Sequence, residues 1–162
     1  MSPNPIHYWI DKEGLSNLVF IHSRSFLREY ESAGKTRQEV ETEIYKEHIL
    51  ISKAEFTEMV EAVLKHTDFS PKGVGLELGA GCGALSIELA ERFDEVEKVY
   101  AVEIVPEITE IAMLKLIEIS NAVKVVPVLG SFDDLKLNDN QIDWIIEFDS
   151  LHHSFDLEKT LG

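Results

Sequence analysis

Glu77-Leu78-Gly79-Ala80-Gly81-Cys82-Gly83 is the stretch on which the fold turns. The run before it, Val74-Gly75-Leu76, is short and apolar and reads as a buried strand. The run after it, from Ala84, places Leu85, Leu89 and Phe93 at helical spacing. A strand, a glycine loop and a helix in that order let a backbone come close to a nucleotide-like ligand. Alternate glycines at 79, 81 and 83 remove each Cβ that would block the approach. An ordinary strand-to-helix turn needs one such residue, or two; the third points to a ligand.

Downstream, short apolar strands keep alternating with helical patterns. Lys98 to Ile104 is a buried strand ending in an acid, Glu103. Pro106 suits a first helical turn, and Ile108, Ile111, Ala112 and Lys115 carry the helix to about Ser120. Val123 to Leu129 is a third strand; its Pro127 cannot donate to a ladder and belongs at a bulge or on an unpaired side. Gln141 to Phe148 is a fourth. The alternation predicts an α/β fold: a Rossmann-like, doubly wound parallel sheet of about four strands.

Upstream, residues 1 to about 70 read as a helical cap, a unit distinct from the Rossmann-like domain at 71–162. Asp11 can cap a helix with Leu15, Leu18, Val19, His22, Phe26 and Tyr30 along one stripe. Gly34-Lys35-Thr36 imitates the end of a phosphate-binding loop, but Glu29 stands where that motif needs glycine. Thr36 with Glu39 forms a capping box opening a helix with Val40, Ile44 and His48 on one side. Ser52 with Glu55 forms a second, followed by Phe56, Met59, Val60, Val63 and Leu64.

The chain's 162 residues, 44% hydrophobic, suffice for a domain with a core. Lys+Arg 15 against Asp+Glu 30 gives a net charge of -15. Such a surface repels phosphate backbones, and no basic cluster offsets it, so nucleic acid is not an expected partner. The single cysteine, Cys82, excludes an internal disulfide and fits a reducing compartment. Met1 to Asp11 lacks the regions of a signal peptide, and no apolar run has membrane-spanning length. A cytoplasmic protein without a membrane partner is the expectation.

Glu77-x-Gly79-x-Gly81-x-Gly83 resembles motif I of the class I S-adenosylmethionine-dependent methyltransferases. Glu103, twenty residues past Gly83, resembles the acid that binds both ribose hydroxyls in that family. Gly130 to Leu135 resembles the loop that holds the adenine, and Asp143 to His153 the fourth motif of small-molecule methyltransferases. The resemblance covers about residues 70 to 156. It implies S-adenosyl-L-methionine as cofactor, held by Glu77, Gly79, Ala80, Gly81, Gly83, Glu103, Ile104, Ser131, Phe132, Asp133 and Glu147, and methyl transfer to a small-molecule acceptor. No metal site is expected, since adjacent histidines rarely point the same way.

Several roles stay open. Glu77 either receives the cofactor's ammonium group or caps the following helix. Ser131 departs from the family, where an acid commonly follows the glycine; the adenine contact then moves to Asp133 or Asp134. Phe132 packs on the adenine or in the core. His152 and His153 either act as a general base for a hydroxyl acceptor or line the cleft without ionising. Cys82 is a small loop filler, and Tyr8 and Trp9 are part of a lid or packing anchors. Gly79-x-Gly81-x-x-Ala84 also satisfies a looser dinucleotide fingerprint, but Glu77 beside the loop opposes a pyrophosphate. A non-catalytic cofactor-binding or scaffold subunit is the alternative from another class. The resemblance implies sheet order 3-2-1-4 with further strands beyond the fourth. Here Gly162 follows Phe148 too closely for another helix and strand, so Gln141–Phe148 is expected on an open edge. A fragment of a longer protein, or an edge covered by a second copy or another chain, is the consequence.

Overall fold

The computed structural model describes residues 4–11, 13–14, 33–44, 46, 52–154 and 156–161. Its centre is a five-stranded, wholly parallel sheet. The strands are β1 (His7–Tyr8), β2 (Gly73–Leu78), β3 (Val96–Glu103), β4 (Val125–Leu129) and β5 (Trp144–Glu147). They lie in the order β1-β4-β3-β2-β5. Without β1 this is the expected 3-2-1-4.

The fifth strand corrects the reading of residues 1 to 70 as helical. His7–Tyr8 pairs with Val128–Leu129 along the outer edge of β4. Two residues are too few to carry a periodic signal, so only the pairing reveals the strand. Asn4 reinforces it: its side-chain amide donates to the carbonyls of Val123 (2.9 Å) and Val125 (2.8 Å). Pro127 sits on this outward-facing side. Val99 N–H bonds the Lys124 carbonyl and Gly130 N–H bonds the Glu103 carbonyl, so even-numbered positions of β4 face β3. The odd ones, Pro127 among them, face away, and no donor is lost from the β3–β4 ladder.

The larger helices pack on one face of the sheet, and Trp9, Phe132, Leu135, Leu137, Ile142 and Leu151 cover the other. Leu85 and Leu89 of α3 (Ala84–Arg92) pack with Val60 of α2 (Ser52–Leu64), joined by half-buried Phe56, Met59 and Leu64. Val63, expected in that pattern, is 42% exposed, on the flank of the buried face. Buried Glu88 of α3 accepts from Thr57 of α2 (2.9 Å) and from Arg92, which ties the two helices by polar contact. The Thr36–Glu39 capping box forms as expected at α1 (Arg37–Ile44): Thr36 N–H donates to Glu39 Oε2 at 2.8 Å. Asp11 Oδ1 accepts from Gly14 N–H at 2.6 Å, a capping contact. The stripe Leu15 to Tyr30, His48, and the side chains of Ile44 and Ser52 lie outside the described residues.

After β3 the chain winds as a π-helix over Ile108–Met113 and then as α4 (Leu114–Ser120), which Asn121 ends in the left-handed conformation. At the far edge β5 pairs with β2 alone among the described residues. Ile145 is 60% and Phe148 52% exposed there, which makes this the open edge the sequence leads one to expect.

Candidate functional site at the strand tips

Register fixes where the site must be. Leu78 of β2 lies opposite Val102 of β3 and Glu147 of β5, and Glu103 of β3 lies opposite Leu129 of β4. Four strands therefore end at one level, and the loops leaving them form the crevice in which open α/β sheets hold ligands.

The glycine loop is left-handed at each alternate glycine: φ is 68° at Gly79, 54° at Gly81 and 75° at Gly83. Their surroundings differ. A Cβ on Gly79 would overlap the side chain of Ser150, so this glycine admits the turn that follows β5. A Cβ on Gly83, the residue preceding α3, would lie 3.1 Å from Met113 of the π-helix. Around Gly81 no described atom lies within 4 Å of such a Cβ. Its left-handed backbone thus serves no internal packing and leaves room above the loop. Ala80 fastens the loop to the sheet, its N–H donating to the Val102 carbonyl at 2.8 Å. Cys82 is buried in the core cluster, the small filler anticipated.

Three acids at the strand ends hold backbone. Glu77 Oε2 accepts from Ser86 N–H (3.0 Å) and from the Ser86 hydroxyl, in the first turn of α3. Of its two open roles, helix capping is the one this oxygen performs. Burial pushes its carboxyl up to about 7, against the two Ser86 bonds, and the Glu103 charge adds to the rise. Glu103 accepts from Ile104 N–H (2.7 Å) and Val105 N–H (2.8 Å) through Oε1, and from Gly81 N–H (2.9 Å) through Oε2. Burial also raises its carboxyl, opposed by those amides and by nearby His153. So the acid at the tip of β3 holds the glycine loop from the neighbouring strand. Ile104 beside it is half-buried.

Glu147 repeats this arrangement at β5. Its Oε1 accepts from Ser150 N–H, from Leu151 N–H (2.8 Å) and from the Ser150 hydroxyl (3.0 Å). Burial opposes ionisation, but these bonds and His152 outweigh it and hold the carboxyl below its usual range. Glu147, expected at the cofactor, has this oxygen committed to the turn. Ser150, which the sequence reading missed, also donates from its hydroxyl to the Leu78 carbonyl at 2.6 Å. It binds the turn to the end of β2 directly under Gly79, and no local pattern marks it.

That turn carries the histidines. Leu151–His153 forms one 3-10 turn, with His152 and His153 exposed and their ring centroids 3.9 Å apart. Contrary to expectation for adjacent histidines, the rings lie side by side. Nδ1 of His152 stands 3.6 Å from Asp149 Oδ1.

On the β4 side, buried Ser131 accepts from Asp133 N–H at 3.1 Å, shaping the loop. Phe132 is half-buried against the cluster of Trp9, Leu76 and Tyr100, which is the core alternative for it. Asp133 Oδ1 accepts from the hydroxyls of Ser154 (2.7 Å) and Thr160, fastening α5 (Leu157–Leu161) to the loop. Asp134 pairs with Lys136 at 2.6 Å on the surface. Glu77, the glycines, Glu103 and the His turn converge; the Asp133 oxygen and Asp134 turn to other partners.

Comparison with known proteins agrees with this geometry. A model described as a methyltransferase domain matches residues 76–161. A proposed S-adenosyl-L-methionine-dependent methyltransferase from Methanococcus maripaludis has the same fold. It shows 21% identity over 78% of this chain and 57% of that one, with a TM-score of 0.63. So has a SAM-dependent methyltransferase from Aquifex aeolicus, at 20% identity, 75% and 63% coverage and TM-score 0.59. A proposed sarcosine dimethylglycine methyltransferase from Galdieria sulphuraria is 27% identical over 66% of this chain and 40% of that one, with TM-score 0.54. The chain thus spans less than two thirds of the length of these structures. No curated protein matches it.

Proposed function

The chain belongs to the methyltransferase domain family, and on that premise we propose that it binds S-adenosyl-L-methionine at the tips of β2, β3 and β4 and transfers its methyl group to a small-molecule acceptor. One observation carries the reading. Gly81 holds a left-handed backbone with open space above it, and the carboxylate of Glu103 stands at its amide.

The residues fit such a group. A carboxylate has about four lone-pair positions, and the amides of Gly81, Ile104 and Val105 account for three on Glu103. One acceptor position, on Oε2, remains for a ribose hydroxyl in a charge-assisted bond. Gly79 to Gly83 give close backbone approach without side chains. When bound, the cofactor supplies an electrophilic methyl on a positively charged sulfur. Buried Glu77 and Glu103 place negative potential beside that charge once ionised. His152 and His153, on a turn fastened by Glu147 and Ser150, can take a proton from a hydroxyl or amine acceptor. Alignment by the rigid strand tips supports the larger part of the acceleration. The net charge of -15 favours an uncharged or cationic small molecule over nucleic acid. No described helix is long and apolar enough to cross a membrane.

The open edge of β5 favours one alternative, a chain that binds the cofactor yet turns over no acceptor alone. Titration with S-adenosylhomocysteine, followed by a labelled-methyl transfer assay on small hydroxyl and amine acceptors, separates the cases. Binding with transfer supports the enzyme, and binding without transfer the subunit. No binding in a folded chain overturns both.

A further inference from the structure

We propose that Trp9 is a positioning residue for the adenosine end of the cofactor site, acting through Gly130. The proposal rests on the cofactor reading above. Residues 4 to 9 lie along β4 as an edge strap, anchored at its start by Asn4 and at its end by Trp9, whose N–H donates to the Leu129 carbonyl at 3.0 Å. The next residue along β4 is Gly130. A Cβ there would stand 3.0 Å from Cβ of Trp9, so the backbone of Gly130 rests against this residue. On its other side Gly130 N–H donates to the Glu103 carbonyl at 3.0 Å.

Gly130 is therefore held between Trp9 and the strand tip that carries the ribose-binding candidate. From it departs the Ser131–Asp134 loop, the adenine-side wall. Trp9 is itself fixed: it is 9% exposed, and its ring lies 5.6 Å from that of Tyr100 within the cluster that Phe132 joins. The loop is otherwise weakly backed on this side, where a cavity of about 470 Å3 lies between Tyr8, Trp9, Ser131 and Asp134. Phe132 in the core cluster and Asp133 bonded to Ser154 and Thr160 hold the far part of the loop, and Trp9 is the fixed contact at its start beside this cavity.

The test uses the 162-residue chain, calorimetry with S-adenosylhomocysteine and with adenosine, and amide spectra of the ligand-free protein. Trp9→Ala is expected to raise Kd for both ligands by about tenfold. It should shift the amides of Gly130 to Asp134 while leaving those of Ser86 to Ala90 in place. Trp9→Phe, which keeps the aromatic anchor, should restore both affinities. Gly130→Ala should weaken binding in the same way with the indole intact, and carries the test where Trp9→Ala does not fold. Wild-type Kd for both ligands in either folded variant overturns the proposal. So does a lowered melting temperature without a change in Kd, or a loss seen with S-adenosylhomocysteine but not adenosine. A wild-type chain that binds neither ligand overturns the cofactor reading and this proposal with it, an outcome distinct from normal wild-type binding with unaffected variants.

Discussion

Glu103 and Glu77 are both buried acids, yet they hold different things. Glu103 grips the loop through Gly81 and its own turn through Ile104 and Val105. Glu103→Ala is therefore expected to weaken S-adenosylhomocysteine binding by about 1.5–3 kcal/mol, the worth of hydrogen bonds to a charged group. Unchanged affinity by calorimetry, in a variant that still folds, would remove it from the site. Glu77 makes a different claim, on pH. Its carboxyl rises from the ordinary 4.5 to about 7 on folding, chiefly through burial. The native state thus binds more protons than the unfolded chain between those values, and stability falls as pH rises through that window. Glu77→Gln keeps an oxygen for Ser86 and cannot ionise. Its melting temperature should fall less from pH 4.5 to 7 than that of the wild type. Parallel profiles for the two proteins would show that folding does not raise the Glu77 carboxyl.

At the scale of the element, the glycine loop combines residues with separate duties. Gly81 faces open space, and Gly79 faces the Ser150 turn. Valine at 81 meets no described neighbour but would strain the left-handed backbone, at a cost of about 1–2 kcal/mol. It would also fill the space above the loop. Gly81→Val should abolish S-adenosylhomocysteine binding while the chain still folds. Gly79→Val should instead damage the fold, because the side chain would displace Ser150 from the Leu78 carbonyl. Paired denaturation and binding curves read the contrast. Normal binding by the Gly81 variant would make the loop structural only.

At the scale of the molecule, the sheet has one covered edge and one open edge. Asn4 and β1 satisfy the outer side of β4. β5 has no such cover among the described residues. Even positions of β2 face β5, since Val74 accepts from Asp143 N–H and Leu78 from the Ser150 hydroxyl; the Leu76–Ile145 register then turns the amides of Trp144 and Ile146 toward β2 and those of Ile145 and Glu147 outward. Hydrogen exchange should show the amides of Ile145 and Glu147 fast and those of Trp144 and Ile146 slow. Slow exchange at all four would mean that something covers the edge, and light scattering would tell whether that is a second copy. Exposed Ile145 and Phe148 give any cover an apolar surface to bury.

What the sequence determined by itself is the part written in local spacing. Glycines at alternate positions after an apolar run, an acid closing the next strand, and alternation of strand and helix periods are each contained within about one element. They sufficed for the parallel sheet, the loop and the place of Glu103, while the 3-2-1-4 order followed from the family resemblance. The Thr36–Glu39 box was legible for the same reason, since its partners are three residues apart. Only the tertiary structure decided which partner each polar group takes. Ser150 meets Leu78 across 72 residues, Asn4 meets Val125 across 121, and Asp133 turns toward Thr160, 27 residues away. A two-residue strand such as His7–Tyr8 exists because another strand's edge offers it partners. Such contacts leave no periodic trace in the chain, because they depend on register between elements, and register is set by packing of the whole sheet.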